Sequence, residues 1–176
     1  MIRICTGFPP EWPPEMRERI VAAFAQHWPA SIELVADELS GGGDLDRHRL
    51  IIPAAVADEM DDGDLLAWID PNVETASAVP SYVIPQLICD ADLCFISRSS
   101  GSLDPGFWAV RLSSPVRSFL IELALAAGKS EAAAGVLADK LDRSGLKVRD
   151  LTPGKAGDIW EFGPLARYTD RLQMPE

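Results

Sequence analysis

The sequence predicts an α/β domain, a mostly parallel sheet flanked by helices, and three observations carry that prediction. Short β-rich runs alternate with segments of helical period. The run Leu65–Ile69 is continuously apolar, as a strand covered on both faces must be. At 176 residues and 47% hydrophobic composition, the chain can bury a core of single-domain size.

The elements follow in order. Ile2–Phe8 (IRICTGF) is a strand ended by Pro9-Pro10. In PPEMRERIVAAFAQHW, Met16, Ile20, Ala23 and Phe24 recur at helical spacing; Pro13 and Pro14 suit a helix start, and Pro29 stops it. Ser31–Ala36 alternates as a second strand, and Gly41–Gly43 is a loop. A short helix is expected within Leu50–Met60, starting after Ile52 because proline at position 53 belongs in a first turn. Asp64–Ile69 is the buried strand. Pro80–Cys89 is a short helix interrupted by Pro85, and Ala91–Ser97 and Gly106–Leu112 are strands. Helical period returns after Pro115 and is closed by Gly128. A further helix is capped by Ser130 and ended by Gly145. Lys147–Leu151 is a late strand. The domain is expected to occupy residues 1–151, with 152–176 a packed extension carrying Trp160, Phe162 and Tyr168.

The formal net charge of -11 argues against a nucleic-acid binder, which needs a basic face. The charge is concentrated: Asp37–Asp92 holds 13 acids and two bases, and the remainder of the chain is balanced. Such a region is either a solubilising face or a cation-binding one. Three cysteines with no CxxC pair, no charged leader before IRICTGF and no apolar run of spanning length point to a reducing cytoplasmic setting without a membrane span. A Gly-x-Ser-x-Gly elbow, a Walker A loop, a His-Glu-x-x-His helix and a dinucleotide fingerprint are all missing.

Chemistry concentrates in DLLAWIDPNVE (64–74). In open α/β sheets ligands gather beyond the carboxyl ends of strands, and Asp70 emerges there. Pro71 restrains both its neighbour and itself, so Asp70 and Asn72 present two oxygens from a stiff turn. Hard oxygens of this kind suit Mg²⁺ or Mn²⁺ held together with phosphates. Asp-Pro-Asn is also ordinary turn chemistry, and on spacing alone a turn or cap explains it more simply. Asp90-Ala-Asp92 precedes its strand and so falls at the opposite edge, as a solvated cap. Arg47-His48-Arg49 either meets phosphate or balances the acids around it.

In their order, these segments resemble the GT-A-type nucleotide-sugar glycosyltransferases, specifically small bacterial or phage relatives with a Rossmann-like sheet. The likeness lies in four stretches: IRICTGF with FAQHWPASIELVADE, LLAWIDPNVET, ADLCFISRS with SLDPGFWAVRLSSPVRSFLIELA, and LKVRDLTPG with EFGPLARYTDRL. It implies transfer of a sugar from a nucleotide-diphosphate donor to an unknown hydroxyl acceptor. By that resemblance Asp70 and Asn72 match the metal-binding pair, with Mn²⁺ or Mg²⁺ bridging the diphosphate. Asp104 matches a catalytic acidic position facing donor and acceptor. Thr6, Gly7 and Phe8 match the nucleotide-contacting loop, and Asp37 the group that hydrogen-bonds base or ribose. Asp70, Asn72 and Asp104 are thereby expected to face one hollow. Asn72 departs from the pattern, offering one oxygen and no charge. The alternative is a catalytically degenerate binding or structural module, docked on a protein partner in a phage or bacterial assembly.

Overall fold

Which strands run through the middle follows from where both faces are apolar. The computed structural model describes residues 1–38, 45–97, 103–127, 132–151 and 169–171, with backbone alone for 37, 38, 103 and 169–171. The elements in chain order are β1 (Ile2–Phe8), α1 (Pro14–His27), β2 (Ile32–Glu38), α2 (Leu45–Ala57), β3 (Leu65–Ile69), β4 (Val73–Thr75), α3 (Val83–Ile88), β5 (Leu93–Ser97), β6 (Leu103–Arg111), α4 (Ser114–Ala126), α5 (Ala133–Ser144), β7 (Val148–Asp150) and β8 (Thr169–Arg171). Six strands form one sheet in the order β2-β1-β3-β6-β5-β7, and β4 pairs with β8 in a separate two-stranded ribbon. All neighbours are parallel except β6, which runs against β3 on one side and β5 on the other. The α/β class with a mostly parallel sheet therefore holds.

Alternation along β3 divides the core. Leu66 and Trp68 join Leu50, Val56, Phe119, Leu123 and Leu137 under α2, α4 and α5. Leu65, Ala67 and Ile69 join Ile4, Trp28, Ile84 and Phe107 on the face that α1 and α3 cover. Burial on both faces is what makes LLAWI read as an unbroken apolar run.

Among the boundaries that differ from expectation, two lie at prolines, while β2 runs on from the expected Ala36 to Glu38 and β4 was not expected as a strand. The second helix begins at Leu45, well before Ile52, and carries Pro53 inside it. Burial of Leu50, Ile52, Pro53, Val56 and Ala57 along one side outweighs the hydrogen bond the proline cannot donate. β6 begins at Leu103 instead of Gly106, because Asp104-Pro105-Gly106 is accommodated in a bulge. There the β5 partner jumps from Trp108 (opposite Phe95) to Asp104 (opposite Ile96). A bulge is one of the few places where a sheet tolerates proline. Gly145 ends α5 in the left-handed conformation (φ 67°), as its position predicts. The loop at Gly41–Gly43, the Gly128 and Ser130 caps and the aromatic cluster of the extension lie outside the described residues.

The reversal of β6 sets the layout of the rim. Its first residues, not its last, lie beside the carboxyl end of β3: Ile69 faces Phe107, and the Asp70 N–H donates to the Gly106 carbonyl at 2.9 Å. The ends of β1, β2 and β3 and the beginning of β6 thus share one edge.

Candidate functional site

The turn that leaves β3 is a backbone turn, closed by the Val73 N–H on the Asp70 carbonyl at 3.1 Å. It is secured from behind by α1. The Trp28 indole Nε1–H donates to the Thr75 hydroxyl at 2.8 Å, and the Arg19 guanidinium forks onto both oxygens of Glu74 at 2.7 and 2.5 Å. These contacts fix β4 and with it the position of Asp70-Pro71-Asn72.

The Asp70 carboxylate itself takes no part in the turn. It points to the α2 side of the sheet, is only 3% exposed, and is fully engaged there. Arg49 Nε donates to Oδ1 at 2.8 Å and Arg49 Nη2 to Oδ2 at 2.5 Å, a bidentate pair. Trp68 Nε1–H, two residues back on the same face of β3, adds a third bond to Oδ1 at 2.9 Å. Arg49 is anchored in turn by Asp46 one helical turn earlier, and Asp46 Oδ2 accepts from the Ala133 N–H at the start of α5 at 3.3 Å. Burial alone would lower the pKa of the Arg49 guanidinium. The hydrogen bonds and charges of Asp70, and then of Asp46, outweigh that and raise it.

Asp104 comes from the other direction. It is 2% exposed, and its Oδ1 accepts from the Gly106 N–H at 3.0 Å. Gly106 separates the two acids: a Cβ there would meet Asp70 Oδ2 at 3.0 Å and Asp104 Oδ1 at 3.1 Å. A side chain at 106 would therefore press on both carboxylates at once, and glycine is what lets them converge.

Thr6, Gly7 and Phe8 lie at the buried end of β1, on the same rim. Thr6 is 4% exposed and its Oγ1 has no partner among the described residues. Phe8 packs with Trp12, ring centroids 6.1 Å apart, so Trp12 fills space beneath the loop. The Asp37 backbone sits at the end of β2 opposite Gly7, and its side chain lies outside the described residues. A hollow of about 360 Å³ opens under this rim on the α1 side, lined by Thr6, Phe24, Trp28, Ile69, Asp70 and Thr75 among others. Asp70 reaches it; Asn72 and Asp104 do not line it. Asp70 and Asp104 meet at Gly106, while the Asp70 carboxylate is held on the α2 side by Arg49 and Trp68.

Arg49 balances the acids around it, one of the two expectations for Arg47-His48-Arg49, whereas motif reading passed over Asp46 and Trp68. Arg49, Asp46 and Trp68 complete the shell around Asp70. Their sequence signal was only an Arg among acids and an indole two residues from an Asp on one strand face. Asp90 and Asp92 lie at the other end of β5, where Asp90 pairs with Lys147 and Asp92 Oδ2 accepts from the Lys147 N–H at 2.8 Å.

The arrangement does not fit the divalent ion that the resemblance implied. Both Asp70 oxygens are already held by a guanidinium. Asn72 offers one neutral oxygen, its buried Oδ1, and among the described residues no three His, Cys, Asp or Glu side chains are grouped to hold a metal.

No family model matches the chain, and no curated protein does. Solved structures do. A glycosyltransferase involved in the glycosylation of the major capsid of PBCV-1 aligns with a TM-score of 0.68 at 11% identity, covering 99% of this chain and 95% of that one. A197 from STIV aligns with a TM-score of 0.54 at 14% identity, covering 99% and 96%. At such identities the likeness is one of fold alone, a single-domain α/β fold shared with that glycosyltransferase and with A197.

Proposed function

We propose that the chain is a small glycosyltransferase acting on a nucleotide-diphosphate sugar. The observation that carries the reading is the convergence of two buried acids, Asp70 and Asp104, on Gly106 at the ligand-bearing rim of a glycosyltransferase-like sheet. Burying two carboxylates is costly; Asp70 is offset by Arg49 and Asp104 accepts from the Gly106 N–H, and acids buried together at such a rim are candidates for chemistry. In this reading the donor lies across the ends of β1 and β2, with Thr6, Gly7, Phe8 and Asp37 toward the nucleotide. Asp104 faces the acceptor. The bond from the sugar's anomeric carbon to the diphosphate breaks as the acceptor oxygen bonds to that carbon. Asp104 accepts the hydroxyl proton or orients the hydroxyl.

The test is release of nucleoside diphosphate from a panel of nucleotide sugars. Asp104→Asn is expected to lower turnover by about 10²-fold or more while nucleotide binding persists. A panel in which no donor binds or turns over rejects the proposal. The alternative, a degenerate module that binds or scaffolds, is favoured by one feature: the Asp70 carboxylate is spent on Arg49 as a structural ion pair. It expects Asp70→Asn to leave partner binding intact and turnover to be nil throughout.

A further inference from the structure

We propose that Arg49 holds Asp70 closed to divalent cations, so that the positive charge at this rim is a guanidinium and not a metal. The proposal concerns the site of the previous section and rests on that reading only for which cation was to be expected.

A carboxylate offers roughly four lone-pair positions on its two oxygens. At Asp70, Arg49 Nε and Trp68 Nε1 occupy Oδ1, and Arg49 Nη2 occupies Oδ2. The open side of Oδ2 lies against Gly106, within 3.0 Å of where a Cβ would stand. An Mg²⁺ or Mn²⁺ ion approaches its oxygens to about 2.1 Å and asks for about six ligands. To bind here it would have to displace the fork and then sit beside the charge it displaced. Arg49 cannot swing aside freely, because Asp46 holds its Nη1 and the Ala133 N–H in turn holds Asp46. The guanidinium is therefore gripped from both ends, with its side chain only 13% exposed. Asn72 Oδ1 is buried and without a partner among the described residues, but one neutral oxygen does not hold a hard dication. With the guanidinium gone, Asp46 and Asp70, the two carboxylates it holds, would face the space it vacates, and their oxygens would be open to a cation.

The experiment is Mn²⁺ binding to the full chain, read by loss of the free-ion paramagnetic resonance signal, with no donor or acceptor present. Wild type is expected to leave the signal unchanged. Arg49→Gln is expected to bind at least about tenfold more tightly than wild type, and that binding should vanish in Arg49→Gln/Asp70→Asn. Saturable binding by wild type that Asp70→Asn removes would overturn the proposal. So would a folded Arg49→Gln chain that remains silent, since Arg49 would then not be what excludes the ion. If Arg49→Gln does not fold, Arg49→Met replaces it: it too removes both the charge and the fork, so Mn²⁺ uptake is expected, and a folded chain without uptake counts against the proposal. Failure of the glycosyltransferase reading appears separately, as no donor turnover with either EDTA or Mn²⁺ present.

Discussion

Removing Arg49 probes stability as directly as it probes the site. In Arg49→Met the Asp70 carboxylate loses two of the three hydrogen bonds described above and the guanidinium that balances its charge, keeping the Trp68 indole. Asp70 is 3% exposed, so water cannot replace what is lost. Asp46, 30% exposed, can turn outward and adds little. Stranding one partner of a buried pair costs about 3–5 kcal/mol; the remaining indole bond and the partial exposure of Arg49 place this case near the lower end. For a chain of this size each kcal/mol moves the melting temperature by about 2–4 °C, so a fall of about 6–12 °C is expected. Circular dichroism melts of Arg49→Met, Asp70→Asn and the double variant measure it. The double variant removes the stranded charge and should melt above Arg49→Met. If Arg49→Met melts within about 2 °C of wild type, or the double loses the sum of both singles, the pair is not the buried, coupled unit described.

Other expectations are narrower. Gly106→Ala should cost about 1–3 kcal/mol by overpacking, seen in chemical denaturation, and should lower donor turnover because the added carbon presses on Asp70 and Asp104 together. Thr6→Val removes a buried hydroxyl without a partner among the described residues and should stabilise by about 1 kcal/mol; a loss instead would mean that a water or ligand bonds there. Burial pushes the Cys5 and Cys94 thiols up to about 12, so at pH 8 they are protonated and unreactive. Exposed Cys89 alone should react with a thiol reagent in the native chain, and all three should react in denaturant. The Met1 ammonium, chiefly through its hydrogen bond, holds the Asp64 carboxyl below the usual aspartate value. A depressed carboxyl stabilises above its unfolded pKa of about 3.9 and loses that contribution as pH falls through the folded value. The stability gap between wild type and Asp64→Asn should therefore narrow on acidification, as melts across that range would show.

Much of the fold was legible because burial writes itself into composition. The unbroken apolar run of β3 and the Gly145 stop of α5 needed no tertiary information. Leu45 as a helix start did not follow from local rules, since Pro53 locally favours a start after Ile52 and only tertiary packing overrides it. β4 is three residues long and owes its strand form to pairing with β8, a partner nearly a hundred residues away in sequence. At the site, the exit of Asp70 from the end of β3 was readable from the sequence, and Asp104 was singled out through the family resemblance. Arg49 was singled out as a phosphate contact or a balance for the acids around it. Its partner Asp70 was not legible, because it lies across the sheet-helix interface and spacing within one segment carries no sign of that. The direction in which Asp70 turns depends on the Trp68 indole and on Arg49 of α2.

Because β6 alone runs backwards, the two edges of the sheet serve different ends. The chain's first residue lies at the far edge, where the Met1 carbonyl accepts from the Leu65 N–H and the Met1 ammonium meets Asp64. That edge is a natural handle: a tag, surface tether or fused protein joined at the amino terminus would sit a full strand length from Asp70 and Asp104. Such an attachment would disturb the Asp64 pair and leave the approach to the acids unobstructed.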